Sequence, residues 1–172
     1  MNTSTVLRGA WDDNTAWEFI HADTVPDTAL CTAVYCLAVV PGQEDKVVLT
    51  RNQRGWEMLG GHIEPGETLE QAMLRECLEE GGFTPEQYGL FGYRKVMSKE
   101  PVPYKRGYYP FPVSYTAHFI ATSSLPLQPP TGEEITDSRL FAHDELARLK
   151  HEQAPIIAAG LSVYRTQGRR IM

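Results

Sequence analysis

No segment restricts the fold of this 172-residue chain as tightly as 68–80, TLEQAMLRECLEE. It is followed by Gly81-Gly82, a helix stop, and its spacing predicts a helix over about Thr68 to Glu80. With 3.6 residues per turn, Glu76, Glu79 and Glu80 share an arc of roughly 100°. Like charges at this spacing destabilise a helix by a few tenths of a kcal/mol each, and the C-terminal end of the helix dipole adds to the penalty. The other faces carry Leu69, Met73, Leu74, Cys77 and Leu78, so the helix packs between layers. An acidic face on a packed helix costs stability unless a cation sits on it. Oxygen ligands of this kind suit Mg2+, which takes a few carboxylates together with substrate phosphates. Arg75, four residues before Glu79, is placed to pair with it. The competing reading is a solvated acidic face, the usual fate of a charge run.

Around this helix the pattern is mixed. Ala33–Val40 is a nearly continuous apolar run of strand length, residues 41–45 read as a turn, and Lys46–Arg51 as a second strand, so 33–51 is expected to be a hairpin. Residues 52–55 break it, Trp56–Leu59 is a short strand, and a loop from Gly60-Gly61 through Glu67 leads into the helix. Further strands are expected at Leu90–Val96, Val113–Thr122 and Arg139–Ala142, with loops at Pro101–Pro112 and Pro126–Pro130. A helical turn at Asp144–Lys150 and a closing helix at Ile156–Tyr164 complete the reading. Strands and helices without strict alternation suggest an α/β layered sandwich with a mixed sheet. The expectation is one domain over 1–172, with a loose, polar N-terminal segment over 1–15.

Residues 61–83, GHIEPGETLEQAMLRECLEEGGF, resemble the Nudix box, G-x5-E-x7-R-E-U-x-E-E-x-G-U, where U is bulky and apolar. Gly61, Glu67, Arg75, Glu76, Glu79, Glu80 and Gly82 match, and Cys77 and Phe83 fill the U positions. Seven fixed residues in one frame arise by chance about once in 10^8. Cys77 departs slightly from the usual Leu, Ile or Val, and Leu59 stands where a proline is common. The resemblance implies a Nudix-type α/β/α sandwich with the box as loop-helix-loop. It implies Mg2+, with Mn2+ as substitute, held by Glu76, Glu79, Glu80 and the carbonyl of Gly61. Glu67 would support the site and Arg75 would orient a glutamate. The reaction implied is hydrolysis of a nucleoside diphosphate linked to another moiety. A diphosphate resists attack because its oxygens are anionic, so divalent charge and positioning account for most of such catalysis. The general base is Glu79 or Glu80, or else Glu133 or Glu134 in the later segment TGEEITDSRLF.

Candidates for substrate contact lie outside the box. Arg51 and Arg54 could clamp phosphate. Tyr104 and Tyr109, in YKRGYYPFP, could stack on a base, with Lys105 or Arg106 meeting phosphate. Pro110-Phe111-Pro112-x-Ser114 resembles the last half of a signature of NADH-diphosphatase members, without its Gln-Pro-Trp portion.

A formal net charge of -6, with Arg169-Arg170 the nearest approach to a basic cluster, argues against bulk DNA or RNA as partner and for a small nucleotide-like molecule; a homodimer is compatible. The three cysteines, Cys31, Cys36 and Cys77, form neither a disulfide framework nor a C-x-x-C pair. No apolar stretch approaches a membrane span, and a cytoplasmic location is expected. Rival readings are a non-catalytic nucleotide-binding Nudix domain, which usually loses box carboxylates, and an RNA 5′-end pyrophosphohydrolase; a prenyl-diphosphate isomerase fits poorly, as it shows a degenerate box.

Overall fold

The computed structural model describes residues 4–104, 107–123, 127–148 and 153–167. In chain order the elements are β1 (Ser4–Ala10), β2 (Thr15–His21), β3 (Cys31–Val40), β4 (Gln43–Asn52), β5 (Gly55–His62), α1 (Leu69–Gly81), β6 (Tyr88–Ser98), β7 (Pro103–Tyr104), β8 (Gly107–Tyr108), β9 (Val113–Thr122), β10 (Asp137–Ala142), α2 (His143–Arg148) and α3 (Ala154–Gln167). Among the described residues eight strands form one sheet in the order β1-β2-β6-β9-β3-β5-β4-β10. β3 and β9 run parallel, while the neighbouring pairs on either side are antiparallel. The sheet is therefore mixed.

β3 explains the layering. Its apolar run is continuous because both of its faces are covered. Val34, Cys36 and Ala38 pack with Val48, Leu59 and Phe119 against Ala72, Met73 and Cys77 of α1. Leu37 and Val39 pack with Val47, Leu49, Ile120 and Phe141 against Leu146 of α2 and Ile156, Ile157 and Leu161 of α3. Fully burying one such aliphatic side chain contributes about 1.5–3 kcal/mol. The result is the expected α/β/α sandwich. α1 starts at a capping box, in which Thr68 accepts from the backbone of Gln71 and the Gln71 side chain accepts from the backbone of Thr68. It ends at Gly82, whose φ of 67° turns the chain left-handed.

Three expectations change. The hairpin of 33–51 closes only at its turn end, where Ala38–Val40 meet β4; at the other end β5 wedges in, pairing Leu59–His62 with Ala33–Cys36. Residues 4–10 are not loose but form β1, paired with β2, which in turn pairs with β6. These contacts are distant in sequence, and the polar composition of the segment conceals them. The 101–112 loop contains the small β7–β8 hairpin. The turn expected at 144–150 is present as His143–Arg148, while Lys105, Arg106, Pro126, Leu149, Lys150, Arg169 and Arg170 lie outside the described residues. Cys31, Cys36 and Cys77 are free thiols. Among the described residues no helix is long and apolar enough to cross a membrane.

A histidine sits within the second face of this core. His118 is fully buried between Phe19, Tyr35 and Phe91, and burial, aided by the nearby charge of Arg94, holds its pKa well below the ordinary 6.5. The unfolded chain therefore takes up a proton that the folded chain refuses. This residue's contribution is complete above pH 6.5 and is lost as the pH falls below it, by up to about 1.4 kcal/mol per unit. Urea unfolding between pH 5 and 7.5 should show that slope in the wild type and a shallower one in His118→Gln; identical slopes would contradict the buried neutral imidazole.

Candidate active site

The turn before α1 and the first face of the sheet bring the acidic residues together around one guanidinium. Arg75 donates from Nε to Glu67 Oε1 at 2.8 Å and from Nη2 to Glu67 Oε2 at 3.0 Å, a two-pronged pair. Its Nη1 reaches Glu76 at 2.7 Å and Glu79 at 3.3 Å, and its Nη2 also donates to the carbonyl of His62 at 3.1 Å. Arg75 thus ties the loop to the helix and spreads the charge of three carboxylates. Its own pKa rises, chiefly through the Glu67 bonds. Glu67 in turn accepts from the backbone N–H of Glu64 at 2.8 Å, closing the loop on itself. The sequence pairing of Arg75 with Glu79 is therefore present, but it is the longest of these contacts.

Glu80 turns the other way. Its Oε2 accepts from the backbone N–H of Gly60 at 2.9 Å and from Thr50 Oγ1 at 3.5 Å. Burial lifts its pKa to about 7; the Gly60 bond opposes the rise, and the charges of Glu76 and Glu57 add to it. Glu76 is also raised by burial, against the pull of Arg75. Both shifts express a surplus of negative charge in a partly dry site. Among the described residues no three acidic, imidazole or thiol side chains are gathered as an ion cage.

β5 shapes this face through two glycines. A Cβ on Gly61 would stand 2.4 Å from Glu76 Oε1, so only glycine admits that carboxylate against the strand. On the adjacent Gly60, a Cβ would meet the carbonyl oxygen of Val34 at 2.2 Å. Gly60, Thr50 and Glu57 are site residues that the sequence reading missed. Thr50 and Glu57 are cross-strand partners on β4 and β5, and nothing in either strand's local pattern announces that their shared face looks onto Glu80.

The outlying candidates fare differently. Arg54 is held by Glu57, at 3.0 Å from Nε and 2.8 Å from Nη2, within the β4–β5 turn. Arg51 follows Thr50 on β4, so strand alternation directs it to the opposite face, level with its partner Trp56; the structure does not bring it to the glutamates. Tyr104 and Tyr109 come together with His62, the residue after Gly61, as near-parallel rings 4.4–5.8 Å apart, and His62 Nε2 lies 2.8 Å from the Tyr109 hydroxyl. Their faces are turned to one another. Glu133 and Glu134 are exposed on a segment fastened to the end of α1, where the N–H groups of Thr131 and Gly132 donate to the carbonyl of Glu79 at 2.7 and 3.0 Å. Glu134 also lies close enough to act electrostatically on Arg54.

The chain thus combines an α/β/α sandwich with a loop-helix-loop that gathers carboxylates around an arginine. The chain matches the family model of the NUDIX domain over residues 30–160, and it belongs to that family. It is 28% identical over 121 residues to the NAD-capped RNA hydrolase NudC of Salmonella typhi, an alignment that covers 66% of this chain and 41% of that protein. It is 42% identical over 65 residues to the putative 8-oxo-dGTP diphosphatase YtkD of Bacillus subtilis, covering 37% of this chain and 41% of that protein. In each case the match spans about two fifths of the relative's length. Among solved structures, the pyrophosphohydrolase BsRppH of Bacillus subtilis superposes with a TM-score of 0.69 at 24% identity, covering 97% of this chain and 100% of that one. The NUDIX domain of Shewanella oneidensis NrtR, solved with ADP ribose, gives 0.55 at 18% identity, covering 80% and 93%. These likenesses carry the fold.

The Arg75 fan has a measurable signature. Arg75→Gln leaves Glu76 buried beside Glu79 without its guanidinium and should lower unfolding stability by about 2–3 kcal/mol. Adding Glu76→Gln in the same chain should recover part of that loss. A double-mutant cycle in urea that shows the two changes to be additive would contradict direct coupling.

Proposed function

We propose that this chain hydrolyses a diphosphate bond in a nucleoside diphosphate linked to another group. The observation that carries the reading is the clustering of Glu76, buried, with Glu79 and Glu80, half-buried, on one turn of α1 beside the side-chain-free Gly61. The donor set is all hard oxygen, which fits Mg2+ or Mn2+. Gly61 adds to the fit, since its missing side chain leaves Glu76 room beside the β5 backbone. Glu76, Glu79, Glu80 and the Gly61 carbonyl are the residues that would hold the ion. When bound, it neutralises the diphosphate and lowers the pKa of attacking water.

The remaining steps belong to the chain. Arg75 and Glu67 tie the loop to the helix through two hydrogen bonds. Thr50 and the Gly60 N–H orient Glu80. Glu79 is the best-placed general base. Its side chain is 43% exposed against 9% for Glu76, and Arg75 approaches it only to 3.3 Å. Glu80, Glu133 and Glu134 are the alternatives. The relatives' names favour nucleotide-like substrates, and the segment Pro110-Phe111-Pro112-x-Ser114, taken with the NudC alignment, favours a nicotinamide dinucleotide as a second reading.

Hydrolysis should be sought with NTPs, oxidised dNTPs, ADP-ribose, NADH, dinucleoside polyphosphates, nucleotide sugars and 5′-capped or 5′-triphosphorylated RNA, each with Mg2+ and with EDTA. Turnover of at least one compound should vanish in EDTA. Glu79→Gln and Glu80→Gln should each lower kcat by about 10^3-fold, on the order expected for a positioned base or ligand, with little change in Tm. Glu133→Gln and Glu134→Gln should stay within about tenfold of wild type if the base is Glu79. Full turnover in both box variants would reject the metal-site reading. Gly61→Ala should impair turnover in the same way, because its methyl displaces Glu76.

A further inference from the structure

The end of β5 carries much of the acidic site on little support. Its pairing with β4 covers Gly55–Met58, and beyond that point residues 59–62 pair only with β3 among the described residues. Gly60 and Gly61 bring no side chains to pack, and glycine has more freedom to lose than any other residue. Yet the Gly60 N–H binds Glu80, and Gly61 stands against Glu76. The strand then leaves the sheet, its last bond running from the N–H of Ile63 to the carbonyl of Thr32 at 3.1 Å.

His62 is the first side chain that can hold this stretch. Its backbone and its ring serve opposite faces. The carbonyl accepts from Arg75 Nη2 at 3.1 Å, on the side of the box helix. The ring belongs to the other face, because His62 pairs with Ala33, and the next residue, Val34, packs under α1. There the imidazole lies near-parallel to Tyr104 and Tyr109, and its Nε2 is 2.8 Å from the Tyr109 hydroxyl. The two tyrosines stack on each other at 4.4 Å.

Their platform is fastened elsewhere. The N–H of Tyr109 donates to the carbonyl of Val102 at 3.0 Å, and the N–H of Ser98 to that of Pro112 at 2.9 Å, continuing the β6–β9 ladder past Met97 and Val113. β9 and β6 lie two and three places from β5 in the sheet, with β3 between. The β7–β8 hairpin therefore reaches over β3 to hold the glycine end of β5 from behind.

We propose that Tyr109 is a positioning residue for the acidic site, acting through its hydrogen bond to His62 to fix the Gly60–His62 backbone and the carbonyl on which Arg75 rests. Tyr104 backs the ring pair. The inference rests on the hydrolase reading for the ion that this backbone serves. The tyrosine faces accordingly brace the site and are not spent on substrate.

Tyr109→Phe separates these roles, since it keeps the ring for stacking and removes only the hydroxyl. Amide hydrogen exchange of the full metal-free chain should quicken severalfold over residues 59–63 in Tyr109→Phe and in His62→Leu. Mn2+ alone, titrated by electron paramagnetic resonance, should bind each about fivefold more weakly, the scale of one hydrogen bond, with Tm unchanged. His62→Gln, which keeps a polar group toward the hydroxyl, should stay within about twofold of wild type. Tyr109→Phe should add nothing in a His62→Leu chain. Wild-type exchange in Tyr109→Phe overturns the inference. So does faster exchange with unchanged Mn2+ affinity, which would leave the contact merely structural, or an equal Tyr109→Phe effect without His62. A wild-type chain that binds no Mn2+ would instead remove the metal-site reading, and the brace on β5 would be decided by exchange alone.

Discussion

Negative charge concentrated on one turn of a helix packed against the sheet is the constraint around which this protein is arranged. α1 needs its apolar faces for the first core layer, so the glutamates cannot be spread over a solvated surface. Arg75 resolves part of the conflict. It gathers Glu67, Glu76 and Glu79 and ties the helix to the loop that precedes it. Glu80 lies beyond its reach and relies on a strand N–H and a threonine hydroxyl. What these bonds leave uncompensated adds to burial in raising both carboxyl pKa values above the usual range, that of Glu80 to about 7.

The Gly60-Gly61 pair is the second requirement. Each glycine clears a different face: Gly61 makes room for Glu76, and Gly60 lets β5 approach β3 beside Tyr35. Side chains at these positions would push the box helix outward and split the ladder. The acidic site and the Tyr35–His118 pair behind it are therefore neighbours through the thinnest part of the sheet. The wedge of β5 against β3, which the hairpin expectation did not include, follows from the same absence of side chains.

The box glutamates, Arg75, Glu67 and Gly61 were legible because they lie within one continuous stretch, where helical periodicity and spacing relate each residue to the next. The central strands were legible for a similar reason, since β3 and β9 carry long apolar runs. Thr50 and Glu57 were not, because each matters only through a strand partner brought alongside from elsewhere in the chain. β1 and β2 escaped notice because pairing to each other and of β2 to β6, rather than local pattern, holds them. Arg51 and Arg54 looked alike in sequence. One residue of strand register sends Arg51 to the far face, and the tight turn that follows gives Arg54 to Glu57.

By itself, the order of residues determined the helix, its acidic face, the sandwich class and the family, because those depend on short-range periodicity and on one contiguous motif. Tertiary structure alone decided which donors Glu80 uses, how Tyr104 and Tyr109 spend their faces, and where His118 meets Phe19, Tyr35 and Phe91. These depend on the register and order of strands distant in sequence, and no local rule relates a side chain on β9 to one on β2 until the sheet between them has formed.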